Sequence, residues 1–563
     1  MKPWLTRWRD ELRGNGHALA LVAILGLAAM VRLIHLITTA HQDPYFDDPA
    51  VDPAIYLAWA KEIVAGTPPK NVFFLSPGYP YFLAVLLAIV GDDLFALRAF
   101  HAFLGWCGVG LVYLLGRRAM SPRAGLAAAG LAAVYAPLVF YEQELLPAAI
   151  QGPLSSLACL MFLWAGDKQR PWIFGLCGLC LGLASTARPN LLVACAFVTA
   201  WFLWRLLRHR SDKGPVFQGL CAFVLGCALP IAPATYHNLR AGDAVLISAQ
   251  GGHNFYIGNG PDATGRFVVP RLFSPDQADD PKEQERIYKS YAEHKHKREL
   301  RPSEVSAFYY ELTWEYIVRQ PHEWWKLMGR KLLLLVNDYE ASSSRDFDSS
   351  RRFSAILTLP LLTAAWLFPL ALVGIGLAAW RGPRLLPLLF VLGAHLASAL
   401  AFFTLAHYRV PATPLLCVFA ALTVLTCIEA VHTRHWKYAL VLVVFVGLSA
   451  GVVNLRLDNP EASRFMVHYN LGNRFRKQGN CHRASKEYQE SLRLQPLYLP
   501  ARNNLALCLE NMPKKTREAI DQWRLVLDFA QERGSDLYIE RARRHLLLLE
   551  QADPSLETPR EDR

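Results

Sequence analysis

Three carboxylates stand close together near the start of this 563-residue chain: Asp47, Asp48 and Asp52, with Pro49 and Pro53 between and after them. They follow an apolar segment at 18–37, which at about 20 residues is long enough to cross a bilayer. A carboxylate at the mouth of a span can take a proton from a hydroxyl arriving at the membrane surface. Plainer roles compete. Asp52 before Pro53 reads equally as a helix N-cap with proline in the first turn, and Gly66 as the end of that helix. Asp47 and Asp48, with Glu144, are also oxygen ligands of the kind a magnesium or manganese ion takes, although their spacing matches no metal motif.

Four later polar motifs interrupt apolar sequence in the same way. They are Tyr141 to Glu144, Ala187 to Asn190, the loop after Pro233 with Gln250 to Asn254, and His407 to Pro411. Arg188 and Arg409, with His407 beside the latter, offer charge-assisted donors to a phosphate oxygen. Glu142, Glu144, His253 and Asn254 are candidates to bind a substrate, and Gly251 and Gly252 let a backbone approach closely. The alternatives are structural: hydrated loop carboxylates at Glu142 and Glu144, an arginine tether at Arg188 and at Arg32 inside the first span, a packed imidazole at His407. At 251–254 the alternative is a tight turn joining short strands at 244–248 and 254–257.

The elements that must position these residues are membrane spans. Hydrophobic residues make up 53% of the chain and charged ones 19%, mean hydropathy is +0.18, and the apolar residues come in long blocks rather than short periodic bursts. The net charge of +12 arises from Lys and Arg beside those blocks, as at Arg7, Arg9 and Arg13 or Arg117, Arg118 and Arg123. That is positive-inside topology rather than a nucleic-acid surface. Threading from an inside N-terminus gives about eleven spans, near 18–37, 95–115, 124–140, 145–165, 172–187, 190–206, 216–233, 356–380, 385–404, 412–429 and 438–454, with 79–90 re-entrant. All five polar motifs then fall on the outer face. The first apolar segment reads as retained, and the cysteines of the apolar blocks, Cys177 and Cys180 included, as small buried hydrophobes. Lys282 to Arg301 reads as a solvated, charge-rich stretch.

From His468 the pattern changes. Leu471, Gly472, Phe475, Gly479, Ala484, Tyr488, Ser491 and Pro496 sit at the offsets of a tetratricopeptide unit of about 34 residues. A second unit from Leu499 carries Leu505, Ala506, Leu509, Ala519, Trp523 and Val526, and a helix after 536 caps the stack. The division expected is a membrane domain at 1–457 with outer loops at 38–94 and 234–355, a repeat domain at 458–553, and a disordered tail at 554–563.

The run FDDPAVDPAIYLAWAKEIVAG and the following FFLSPGYPYFLAVLLAIVGDDLFALRAFHAFLG resemble the opening of GT-C glycosyltransferases of the protein O-mannosyltransferase and aminoarabinose-transferase type. STARPNLL, HNLRAGDAVLISAQGGHNFYIGN and HYRVPATPLL are similar to motifs of a bacterial branch, some of whose members carry tetratricopeptide tails. The resemblance spans roughly 18–430. It implies an all-α polytopic GT-C fold with a mixed outer-loop region and a C-terminal α-solenoid, in a bacterial inner membrane with the repeats on the periplasmic side. It also implies inverting transfer of a sugar from a polyprenyl-phosphate donor to a glycan, lipid or protein acceptor. In such families an acidic residue of the first outer loop is the base. Asp52 aligns best, but Pro53 stands where an acidic partner is more familiar, so Asp47 and Asp48 remain candidates. The rivals are a non-catalytic polysaccharide or lipid-linked-oligosaccharide transport or assembly protein, whose repeats recruit a protein partner, and an O-antigen ligase or polymerase. The acidic first loop argues against the latter.

Overall fold

The computed structural model describes residues 3–168, 170–208, 213–268, 270, 281–340, 345–379, 383–457, 461–533 and 535–552. His209 and Arg210 of one basic turn, and the tail from 554, lie outside them. The chain divides into two units. The first takes in Met1–Gln42, Pro49–Ser343 and Arg351–Leu455; the second Asp43–Asp48, Ser344–Ser350 and Arg456–Arg563.

Among the described residues, the regular elements of the first unit are helices. It begins with α1 (Pro3–Gln42), α2 (Asp52–Val64), α3 (Gly78–Val90) and α4 (Leu94–Ala119). Next come α5 (Pro122–Ala133), α6 (Ala136–Gln143), α7 (Ala148–Lys168) and α8 (Pro171–Ala187). Then α9 (Leu192–Arg208) and α10 (Lys213–Arg240) follow. Seven described helices are long and apolar enough to cross a membrane, and α3 and α8 are among four shorter apolar ones. The chain is an integral membrane protein. Where the sequence suggests one span at 124–140 there are two helices. Pro137 sits in the first turn of α6 and cannot continue α5, and the freed backbone is satisfied by Leu362, whose carbonyl accepts from Ala136 N at 2.8 Å.

Between α10 and the later spans lie α11 (Gly251–Asn259), α12 (Pro281–His296), α13 (Pro302–Arg319) and α14 (Pro321–Val336). Strand pairing at 244–248 and 254–257 is not formed: 251–259 is helix, and among the described residues the one β-bridge is Tyr135 with Leu362. Asn238 takes over the part a strand partner would play, donating to the Val245 and Ile247 carbonyls at 3.0 and 3.1 Å. After α15 (Phe347–Ser350), which groups with the second unit, come α16 (Ala364–Ala378), α17 (Leu386–Ala401), α18 (Ala406–Arg409), α19 (Thr413–His432) and α20 (Trp436–Val453).

The second unit is built on α21 (Glu461–Lys477), α22 (Cys481–Leu494), α23 (Leu499–Glu510), α24 (Thr516–Arg533) and α25 (Asp536–Ala552), each packed on the next. A Cβ on Gly472 would fall 2.6 Å from the Tyr488 ring, so glycine sets how closely α21 and α22 approach. Ala506, Trp523, Val526 and Ala542 are fully buried between α23, α24 and α25.

Candidate functional site

Asp52 opens α2 with Pro53 in its first turn, but it is not the cap. Val51 holds that position with φ 55 and ψ −129, a conformation a β-branched residue adopts only under constraint. The Asp52 carboxyl is partly buried, which pushes its pKa above the usual carboxylate range, and the nearby Arg188 guanidinium pulls it back down by less. One turn along α2, Tyr56 feels the same pair, Asp52 and Arg188.

Arg188 follows the last residue of α8, where Pro189 stops the helix and forces an extended backbone. The end of α8 is set by α3: a Cβ on Gly78 would meet Ala187 N at 2.6 Å, so the turn before α3 lies directly against it. The Arg188 guanidinium stacks over the Tyr408 ring at 3.8 Å and hydrogen-bonds with the Tyr56 side chain, and its Nη1 is buried with no hydrogen-bond partner among the described residues. The charge of Arg188 also reaches His395 and His407; His395 is hydrogen-bonded to the Tyr408 backbone, and Nε2 of His407 is buried with no hydrogen-bond partner among the described residues. Asp52, Tyr56, Arg188, His395, His407 and Tyr408 therefore form one polar cluster gathered from four stretches of chain.

Other sequence candidates lie elsewhere. Glu142 is buried with both oxygens taken by Arg32, at 2.8 and 3.0 Å; Arg32 is the tether, and Glu142 is its counter-ion rather than a substrate ligand. Glu144 is buried near Tyr79, whose ring meets Tyr56 edge-on at 5.4 Å. Arg409 turns away from the cluster. All three of its guanidinium nitrogens are engaged by protein, through Glu340 at 3.0 Å and the carbonyls of Leu334, Leu335, Asn337 and Tyr339. It anchors the 334–340 segment and has no donor left for a phosphate. His253 stacks on Phe74 at 4.8 Å and packs on Tyr288, which leaves it a neutral packed ring with its pKa lowered by burial to about 3. Asn254 lies on α11 beside it. Asp47 and Asp48 belong to the second unit, where Asp48 pairs with Arg474. Among the described residues no group of three His, Cys, Asp or Glu side chains is placed to hold a metal ion.

Tyr56 and Tyr408 lie within stretches the sequence marks but have no role assigned there, and His395 is not singled out. The signal at His395 was an ionisable residue alone in an apolar helix, which in a membrane marks a protein interior or a polar cavity. Glu340 gave no signal, because its partner Arg409 is 69 residues away.

Residues 75–233 match the family model of dolichyl-phosphate-mannose-protein mannosyltransferases. The match bears out the sequence resemblance: over that segment the chain is similar to a membrane glycosyltransferase of the GT-C type. No curated protein matches the chain. Among solved structures, the archaeal oligosaccharyltransferase AglB from Archaeoglobus fulgidus, in complex with an inhibitory peptide and a dolichol-phosphate, is similar at 13% identity and a TM-score of 0.43, over 89% of this chain and 59% of its own. ArnT from Cupriavidus metallidurans in the apo state is similar at 14% identity and a TM-score of 0.39, over 91% and 80%. Its undecaprenyl phosphate complex gives 16% identity and a TM-score of 0.31, over 73% and 78%. The chain thus spans about three fifths of the oligosaccharyltransferase it matches, 59%.

Proposed function

We propose that the chain is a membrane glycosyltransferase that moves a sugar, with inversion, from a polyprenyl-phosphate donor to a hydroxyl acceptor on the outer side of a bacterial inner membrane. Asp52 is the base and Arg188 the phosphate ligand. The observation that carries this reading is the Asp52, Arg188 and Tyr408 cluster, in which the Arg188 charge acts on a carboxyl of raised pKa while one buried Arg188 nitrogen has no partner among the described residues. The family match over 75–233, which contains Arg188, supports the donor class.

The chemistry balances without a further group. The acceptor oxygen forms a bond to the anomeric carbon as its proton passes to an Asp52 carboxylate oxygen, and the bond from that carbon to the phosphate oxygen breaks. The lipid phosphate leaves as an anion and needs a cation more than a proton. Arg188, held flat by the Tyr408 ring, can donate to it through Nη1, a contact worth most where charge develops and water is excluded. A positioned base of this kind contributes a factor of about 10² to 10⁴. The helices of the second unit are read as tetratricopeptide repeats on the same outer side.

The test is release of lipid phosphate. Purified full-length protein in lipid nanodiscs, given a polyprenyl-phosphate-linked sugar and membrane-extract acceptors, is expected to liberate the lipid phosphate and label an acceptor. Donor binding with no release under any acceptor would favour a transport or assembly role instead.

A further inference from the structure

The segment Asp43–Asp48 groups with the repeat helices and not with the membrane unit that surrounds it in sequence, and its side chains show why. Asp43 is buried and ion-paired with Arg345, and Asp48 is ion-paired with Arg474 of α21. The Tyr45 ring, only 6% exposed, lies against the same two guanidinium groups, 4.9 Å from Arg345 and 5.3 Å from Arg474. Gln478, just past α21, donates to the Pro44 carbonyl at 3.3 Å. An acidic, aromatic piece of the first outer loop is thus bound by two arginines in the way a repeat surface binds a peptide. Burial pushes the Tyr45 phenol well above its ordinary pKa, the arginines opposing, so the ring stays neutral and packs as an apolar face between them.

From Asp48 the chain reaches Asp52 through Pro49, Ala50 and Val51, and Val51 carries the positive φ of 55. The stretch Ser344–Ser350, which carries Arg345, also belongs to this unit and follows closely on Glu340, the residue that anchors Arg409.

We propose that the repeat unit clamps the segment leading into Asp52, with Arg474, Arg345 and Tyr45 as positioning residues for the transfer step. The ligand of this face of the repeats is then the enzyme's own first outer loop. The idea rests on Asp52 being the base, and the two claims can be separated by measuring the loop and the reaction independently.

In full-length protein in nanodiscs, amide hydrogen exchange over 43–52 reports the clamp, while turnover and donor affinity report the reaction. Arg474→Ala is expected to raise exchange over 43–52 and to lower kcat on the order of 10- to 100-fold, the cost of a small misplacement of a reacting group, with donor affinity unchanged. Arg474→Lys keeps the charge and is expected to recover part of both. Should Arg474→Ala fail to fold, Tyr45→Leu removes the ring from between the guanidinium groups and carries the same expectation. Exchange that rises with kcat unchanged, or that does not rise at all, overturns the proposal. If Asp52→Asn keeps its turnover, the base assignment fails, and with it the positioning claim, even where the exchange result shows that the loop is held.

Discussion

At Asp52 burial and Arg188 act in opposite directions, burial being the larger. A base must be ionised to work, so kcat/KM is expected to rise with pH through the folded-state pKa of Asp52, and that acid limb should lie above the ordinary carboxylate value of about 4. Arg188→Gln removes the charge that lowers it, so the limb should move further up. A limb at the ordinary value, or one indifferent to Arg188→Gln, would separate the two residues. Arg409 makes the contrasting case. Its pairing with Glu340 is buried on both sides, at 4% exposure each, and removing one partner of such a pair typically costs about 3–5 kcal/mol. Arg409→Ala should therefore lower the melting temperature in detergent steeply, with any loss of activity tracking lost folded protein. The residue types Asp52, Arg188, His407 and Arg409 were all legible in the sequence as polar interruptions of apolar blocks. That Arg409 is fully engaged by protein was not legible, because that depends on Glu340 and on four backbone carbonyls whose positions only the fold supplies.

The helices themselves were largely readable, because long apolar blocks flanked by arginine leave little choice of structure in a membrane. The exceptions are local. Pro137 splits the block at 124–140 into α5 and α6, and the glycine-rich 251–259 stretch, open to turn or strand by composition, becomes α11 because its buried face packs on α13 through Tyr256 and Tyr309. The pairing of α8 with α10 depends on small residues. A Cβ on Gly182 would fall 2.6 Å from the Cys227 carbonyl oxygen, and one on Gly178 would collide with the Phe223 carbonyl of α10, so the two backbones touch there. Gly178→Val should force them apart at a cost of about 1–3 kcal/mol. Because Arg188 stands at the end of α8, the substitution should also lower transfer, measurable as reduced turnover in protein that survives at low temperature. Normal stability in Gly178→Val would contradict this close approach.

For the whole molecule, topology was inferred from the charge of short turns, and it carries a direct expectation. Reporters at Gln489 and Lys61 should read from the outer side and reporters at Arg118 and Arg208 from the cytoplasm; Gln489 and Lys61 on opposite sides would contradict the threading. The two-unit division was legible only in part. The stretch from His468 read as repeats falls within the second unit, but nothing in composition signals that Asp43–Asp48 and Ser344–Ser350 group with it, since those contacts join residues hundreds of positions apart. The most direct test of the central claim is single-turnover transfer from a polyprenyl-phosphate sugar by Asp52→Asn, with donor binding measured on the same sample. Amide for carboxylate keeps the shape and removes the basicity. The expected result is unchanged donor binding and a loss in the rate of lipid phosphate release on the order of 10²- to 10⁴-fold. Release at close to the wild-type rate would contradict Asp52 as the base.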